Sequence, residues 1–239
     1  MTDRDVQDEI IRYLTEPLGR TSASLALAPE QAARAAHFAQ FLARRYYRDR
    51  LGRSFRYSAK MLHGVGRRAT DVAEVDEFNR IVSSEAMGSL AAAQQIGALA
   101  VQQLARLKDG AWWPALLEYE RAHFLQTATS ESVHRGQHPR RGVSALCRQF
   151  DWHMPELLQR IKAMQAIDDA GYLRRPVTLL FSRTHAGSIY VMEVDAATTA
   201  MFEAVDGERA VVEIAELTKM SPPVVEQILQ SLKEVGAVV

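Results

Sequence analysis

The chain has 239 residues, 47% of them apolar, enough for one large core or two modest ones. Its 29 basic and 29 acidic residues cancel, but unevenly: residues 1–176 hold 25 basic against 20 acidic groups, and residues 177–239 hold four against nine. The neutral total and acidic tail argue against a uniform nucleic-acid binder, the single cysteine (Cys147) excludes an internal disulfide framework, and the charged opening stretch lacks the apolar centre of a signal peptide, so a cytoplasmic location is expected.

The first 130 residues read as successive helices. Positions 6–14 predict a short amphipathic helix closed before Pro17. Pro29 suits the first turn of a second helix through Phe38, Phe41, Leu42, Arg45 and Tyr46, with Gly52 as its stop. Residues 54–65 predict another short helix, and Gly64 and Gly66 read as a helix break because no strand precedes them. Thr70 and Glu74 match a capping box for a helix from Asp71. The uncharged run 86–105 is long enough to span a bilayer, but its four glutamines and many alanines suit a buried helix whose small residues let neighbours approach, so no membrane partner is expected. Pro114 opens the next helix. Residues 129–142 are polar and break the pattern. Residues 143–151 read as extended, 155–170 as a helix ended by Gly171, and 173–176 as a linker.

The tail begins with strands at 177–181 and 189–194, β-branched and aromatic in content, around a turn at 184–187. Asp195 caps the first of three helices, at 196–204, 209–217 and 222–235. The expected fold is a mainly α N-terminal domain (1–172) plus a small α+β, winged-helix-like C-terminal domain (177–239). A DNA-reading winged helix would continue into a hairpin, but only Gly236, Ala237, Val238 and Val239 follow. Its recognition helix would also carry basic residues, whereas this one carries Glu226, Lys233 and Glu234. Shape without charge points to a protein or peptide reader.

No nucleophile–base, zinc-protease or phosphate-loop motif occurs, and no catalytic residue is assigned. Glu120 with His123, and Glu131 with His134, have the three-residue spacing of di-iron carboxylate helices. The two pairs lie in adjacent sequence, however, and the second falls in the polar break. The bland expectation is a His123 hydrogen-bonded in or near the core and a solvated second pair. His138 lacks a third ligand nearby, and Cys147 reads as a small buried apolar residue. Residues 34–68 hold ten basic groups against Asp49 alone, with Tyr46, Tyr47, Phe55 and Tyr57 interleaved. This is either a solvated face or a docking surface for an acidic partner, with Arg44, Arg45 and Arg48 as candidate anchors. Trp112 and Trp113 cannot share one helix face; a core anchor is the default and an interface anchor the alternative.

Tyr190 to Asp195, Met201 to Gly207, Val212 to Leu217, and Val224 through Leu232 to Gly236 together make the tail resemble the PqqD-like recognition element for leaders of ribosomally made, modified peptides. Trp113 to Ala122, and Arg148 to Trp152 leading into Pro155 to Leu158, are similar to segments of the partner subunits of DUF692-type multinuclear non-haem iron oxidases, as in methanobactin and 3-thiaglutamate biosynthesis. The resemblance implies an accessory subunit with no cofactor of its own. It binds the precursor-peptide leader and presents it to a TIM-barrel oxidase that holds the iron. Trp112, Trp113 and Glu120 join the docking candidates. The leader would add as a strand beside Ile189, Tyr190, Val191 and Met192 and lay apolar side chains on Val225, Ile228, Leu229 and Leu232, several of which must instead serve the core. Two other readings stay open: a winged-helix transcription regulator with a helical sensor or dimerisation domain, and a helical di-iron oxygenase using Glu120 and His123.

Overall fold

The computed structural model describes residues 3–16, 28–130, 138–167, 171 and 173–239. It is mainly helical with one small antiparallel sheet. Helices α1 (Asp3–Thr15), α2 (Pro29–Ser54), α3 (Arg56–Met61), α4 (Asp76–Ser84), α5 (Leu90–Leu104) and α6 (Trp113–Ala128) precede strand β1 (Leu146–Phe150). Then come α7 (Met154–Lys162), β2 (Val177–Arg183), β3 (Ile189–Glu193), α8 (Ala196–Ala204), α9 (Val211–Thr218) and α10 (Pro222–Glu234).

Three local expectations shift. Gly52 does not stop α2, which runs to Ser54 and ends where Phe55 leaves helical geometry (φ −90°, ψ 42°) to bury its ring. Thr70 and Glu74 do not cap a helix. Instead Asp71 accepts the Arg68 N–H at 2.9 Å within a 3-10 turn (Ala69–Glu74), and α4 starts after it. The helix from 155 is short: α7 ends at Lys162, and Met164 sits in the left-handed region (φ 55°).

The core side of α2 is built from Ala35, Ala39, Ala43, Tyr47 and Leu51, four residues apart. Small side chains bring α2 close to its neighbours and leave Phe38 and Phe41 outside. The same logic joins α5 to α6: a Cβ at Gly97 would lie 3.2 Å from both Arg121 Cγ and Phe124 Cδ1. Trp112 and Trp113 are both buried, edge to face at 5.8 Å, and the Trp113 indole N–H donates to the Leu104 carbonyl at 3.0 Å.

The sheet has the order β1-β2-β3, with Phe150 opposite Val177 and Leu180 opposite Met192. Its central strand serves two cores. Val177, Leu179 and Phe181 pack into the large helical core, whereas Leu180 points the other way, into a second core made by Met201, Phe202, Ile214, Val225, Leu229 and Leu232. Ser182, fully buried, donates from its hydroxyl to the Val235 carbonyl at 2.8 Å and ties the sheet to α10. Arg183 Nη1 donates to the carbonyls of Gln126 (3.2 Å) and Thr129 (3.0 Å) at the C-terminal end of α6, where a cation is favoured. Residues 237–239 turn back along 140–142: Gly142 N–H donates to Ala237 O at 2.9 Å, and Arg140 and Val239 exchange two bonds of 3.1 and 2.8 Å. The turn into this pairing needs Gly236, whose φ is +73° and where any Cβ would overlap the Arg183 carbonyl.

Candidate functional site

β3 is an edge strand, paired only with β2 among the described residues. Val194 N–H donates to Thr178 O at 3.0 Å and Thr184 N–H to Ser188 O at 2.9 Å, which fixes the alternation of the ladder between them. Leu180 with Met192, and Ser182 with Tyr190, are its hydrogen-bonded pairs. Ile189, Val191 and Glu193 therefore turn their backbone N–H and C=O groups away from β2, toward the open side. An unpaired row of this kind is a ready template for another extended chain.

Beside this edge lies an open groove of about 580 Å³ between β3 and α10. Met192 and Val194 form one wall, and Gln227, Ile228, Ser231 and Leu232 form the other. Thr198, Asp195 and Glu193 border it. Asp195 is held in place because its Oδ1 accepts the Thr198 N–H at 2.7 Å and so caps α8. That bond, with a further one from the Thr198 hydroxyl, keeps the Asp195 carboxyl below its ordinary range. Tyr190 and Met192 are 43% and 36% exposed, high for residues of these sizes beside a core, and Met192 presents an adaptable apolar side chain to the groove.

The eight expected peptide-contacting residues divide. Ile189, Tyr190, Val191 and Met192 all lie on the edge strand. Ile228 lines the groove. Val225, Leu229 and Leu232 are enclosed in the second core, 0%, 3% and 2% exposed, so Leu232 meets the groove only at its floor. Gln227, Ser231, Val194 and Thr198 line the groove without having been singled out. The helical spacing of Gln227 and Ser231, four apart and adjacent to Ile228, carried that signal.

The expected docking set divides too. Arg45 and Arg48 are exposed on α2, with Asp49 a loose 4.0 Å from Arg45. Arg44 is half-buried and donates to the Ala73 carbonyl at 2.9 Å. Trp112, Trp113 and Glu120 are in the interior and offer no docking surface. What lies on the outer face of α2 with Arg45 and Arg48 is a stacked aromatic pair, Phe38 and Phe41, with ring centroids 6.2 Å apart and 48% and 51% exposed.

Glu120 has a structural task. Its Oε1 accepts the backbone N–H of Tyr57 (2.6 Å) and of Ser58 (3.1 Å) at the start of α3. Burial raises its pKa to about 7, against the opposing pull of those hydrogen bonds and of Arg56. His123, its pKa lowered by burial and by Arg56, lies 3.3 Å from the Ser54 hydroxyl through Nδ1. Glu131 and His134 fall outside the described residues. Among the described residues no three His, Cys, Asp or Glu side chains come together as a metal site. No described helix is long and apolar enough to cross a membrane. Cys147 is half-buried rather than enclosed, and burial pushes its thiol up to about 11. Comparison with known protein families and with curated proteins finds no match for this chain.

Proposed function

We propose that the chain is a non-catalytic accessory subunit that captures the leader of a ribosomally made precursor peptide and presents it to a partner iron-dependent oxidase. The observation that carries this reading is the open β3 edge lying beside the β3–α10 groove. The leader adds as a strand on Ile189, Val191 and Glu193 through backbone hydrogen bonds, and alternate side chains enter the groove against Met192 and Ile228. The two strands and three helices of the tail, in the order of a winged-helix-like peptide reader, place that edge and α10 side by side.

The acidic tail also favours a peptide over a duplex, because four basic against nine acidic residues repel phosphates. The partner docks on the outer face of α2, where Arg45 and Arg48 flank Phe38 and Phe41. Arginine and aromatic side chains are the residue types that anchor interfaces. Held on one subunit, the peptide reaches the oxidase at the high local concentration that tethering provides. In this heterodimer the iron and the oxidative chemistry belong to the other subunit; this chain binds and orients.

The test is calorimetric titration of the chain with short peptides encoded by reading frames next to its gene, together with pull-down of an iron protein from the native cell. Submicromolar leader binding that is lost in Ser231→Arg, which fills the groove from an exposed position, is the expected result. A chain that binds no such peptide, or that shifts duplex DNA in a salt-dependent manner, overturns the proposal.

A further inference from the structure

The residues around the β3–α10 groove have a one-sided charge. Asp195 borders it, Glu226 is exposed one residue before Gln227 on α10, and among the described residues no Lys, Arg or His lines it. On the opposite face of β3, the Glu193 carboxylate lies 4.0 Å from His153 Nε2, and Glu156 lies 3.8 Å from the other ring nitrogen. Two carboxylates thus flank a single imidazole; Glu156 also pairs with Arg160 at 3.6 Å, which leaves Glu193 as the carboxylate at the open edge.

Strand geometry converts this placement into a side-chain pattern. The three outward-facing residues of β3 span about 14 Å, room for roughly five residues of an added strand. Residues of that strand opposite Tyr190 and Met192 share their face and enter the groove, where the wall is apolar. Residues opposite Val191 and Glu193 share the other face and meet the exposed Glu193 carboxylate.

Resting on the proposed peptide-binding role, we infer that the segment this edge accepts is cationic as well as apolar. It is an extended stretch with apolar side chains at every second position toward α10 and Lys or Arg between them, one of these across from Glu193. An acidic segment would bring like charges together within the ~8 Å over which charges act at physiological salt.

The test selects displayed random peptides of about twelve residues, longer than the exposed edge, against the full chain, and measures the winners by fluorescence anisotropy. The expected winners alternate apolar residues with Lys or Arg. Their binding weakens about three- to fivefold in Glu193→Lys, as for a partly exposed ion pair whose sign is reversed, and weakens with added salt. Ile228→Glu and Ser231→Arg each reduce binding by about thirtyfold or more; circular dichroism checks that each is folded, and the exposed Ser231 position keeps the test valid should Ile228→Glu not fold. Acidic or uncharged winners that still lose binding in Ser231→Arg overturn the charge pattern while leaving the groove as the peptide site. Winners indifferent to Ser231→Arg, or no selected peptides at all, overturn the peptide-binding role together with this inference.

Discussion

Replacing Glu120 by Gln should make the protein more stable at neutral pH, although it removes a charged hydrogen-bond acceptor from the core. The carboxylate is fully buried, and its Oε1 receives two backbone N–H groups from α3. A Gln side-chain oxygen can accept the same pair. What the substitution removes is a titration: burial raises the folded pKa from an ordinary 4.5 to about 7. Between these values the folded chain retains a proton that the unfolded chain has released, so stability falls as pH rises across the window. The full loss, reached above the folded value, is about 3 kcal/mol. Urea unfolding followed by tryptophan fluorescence suits the measurement, because Trp112, Trp113 and Trp152 are all buried. From pH 4.5 to above 7, wild-type stability should drop by about 3 kcal/mol relative to Glu120→Gln. Parallel curves would refute the reasoning. A wild type that gains stability over the same range would show that the Tyr57 and Ser58 amides hold the carboxylate ionised and that desolvation is the smaller effect.

Leu229→Ala, which empties space in the second core, should cost about 2–5 kcal/mol and lower the unfolding temperature. Gly236→Ala puts a Cβ into the Arg183 carbonyl at positive φ, so a loss of at least about 2 kcal/mol is expected. Hydrogen exchange should then show reduced protection of the Gly142 amide, which is bonded to Ala237. Phe38→Ser combined with Phe41→Ser should leave thermal stability nearly unchanged, since both rings are half exposed, while weakening association with the proposed oxidase partner by tenfold or more in analytical ultracentrifugation.

The tail was legible because its signals are local. Alternation and β-branching mark β2 and β3, Asp195 announces α8, and Pro222 opens α10 close to the expected positions. Side-chain direction was less legible. Helical spacing puts Val225, Ile228, Leu229 and Leu232 on adjoining faces of α10, and only packing against α8 and the sheet decides that Val225, Leu229 and Leu232 are enclosed while Ile228 borders the groove. The outer face of α2 was hidden by the habit of placing large apolar residues inside. There the alanines at 35, 39 and 43 take the core side because close helix approach outweighs side-chain area, and the phenylalanines remain outside. Trp112 and Trp113 cannot share one helix face; Trp112 sits at the N-cap just ahead of α6, and both rings enter the core edge to face. Glu120 looked like a ligand or an anchor by residue type, and its role as a cap for α3 depends on a contact between residues 62 and 63 positions apart.

The alternating faces of β2 bear on how the molecule can be taken apart. A fragment starting at Val177 would lose β1 as a neighbour and present Val177, Leu179 and Phe181 to water. The proposed peptide capture is therefore to be tested on the intact polypeptide. A guest strand laid on β3 would brace the same wall against which α6 leans, so occupancy at one end of the molecule could be felt as stiffness at the other.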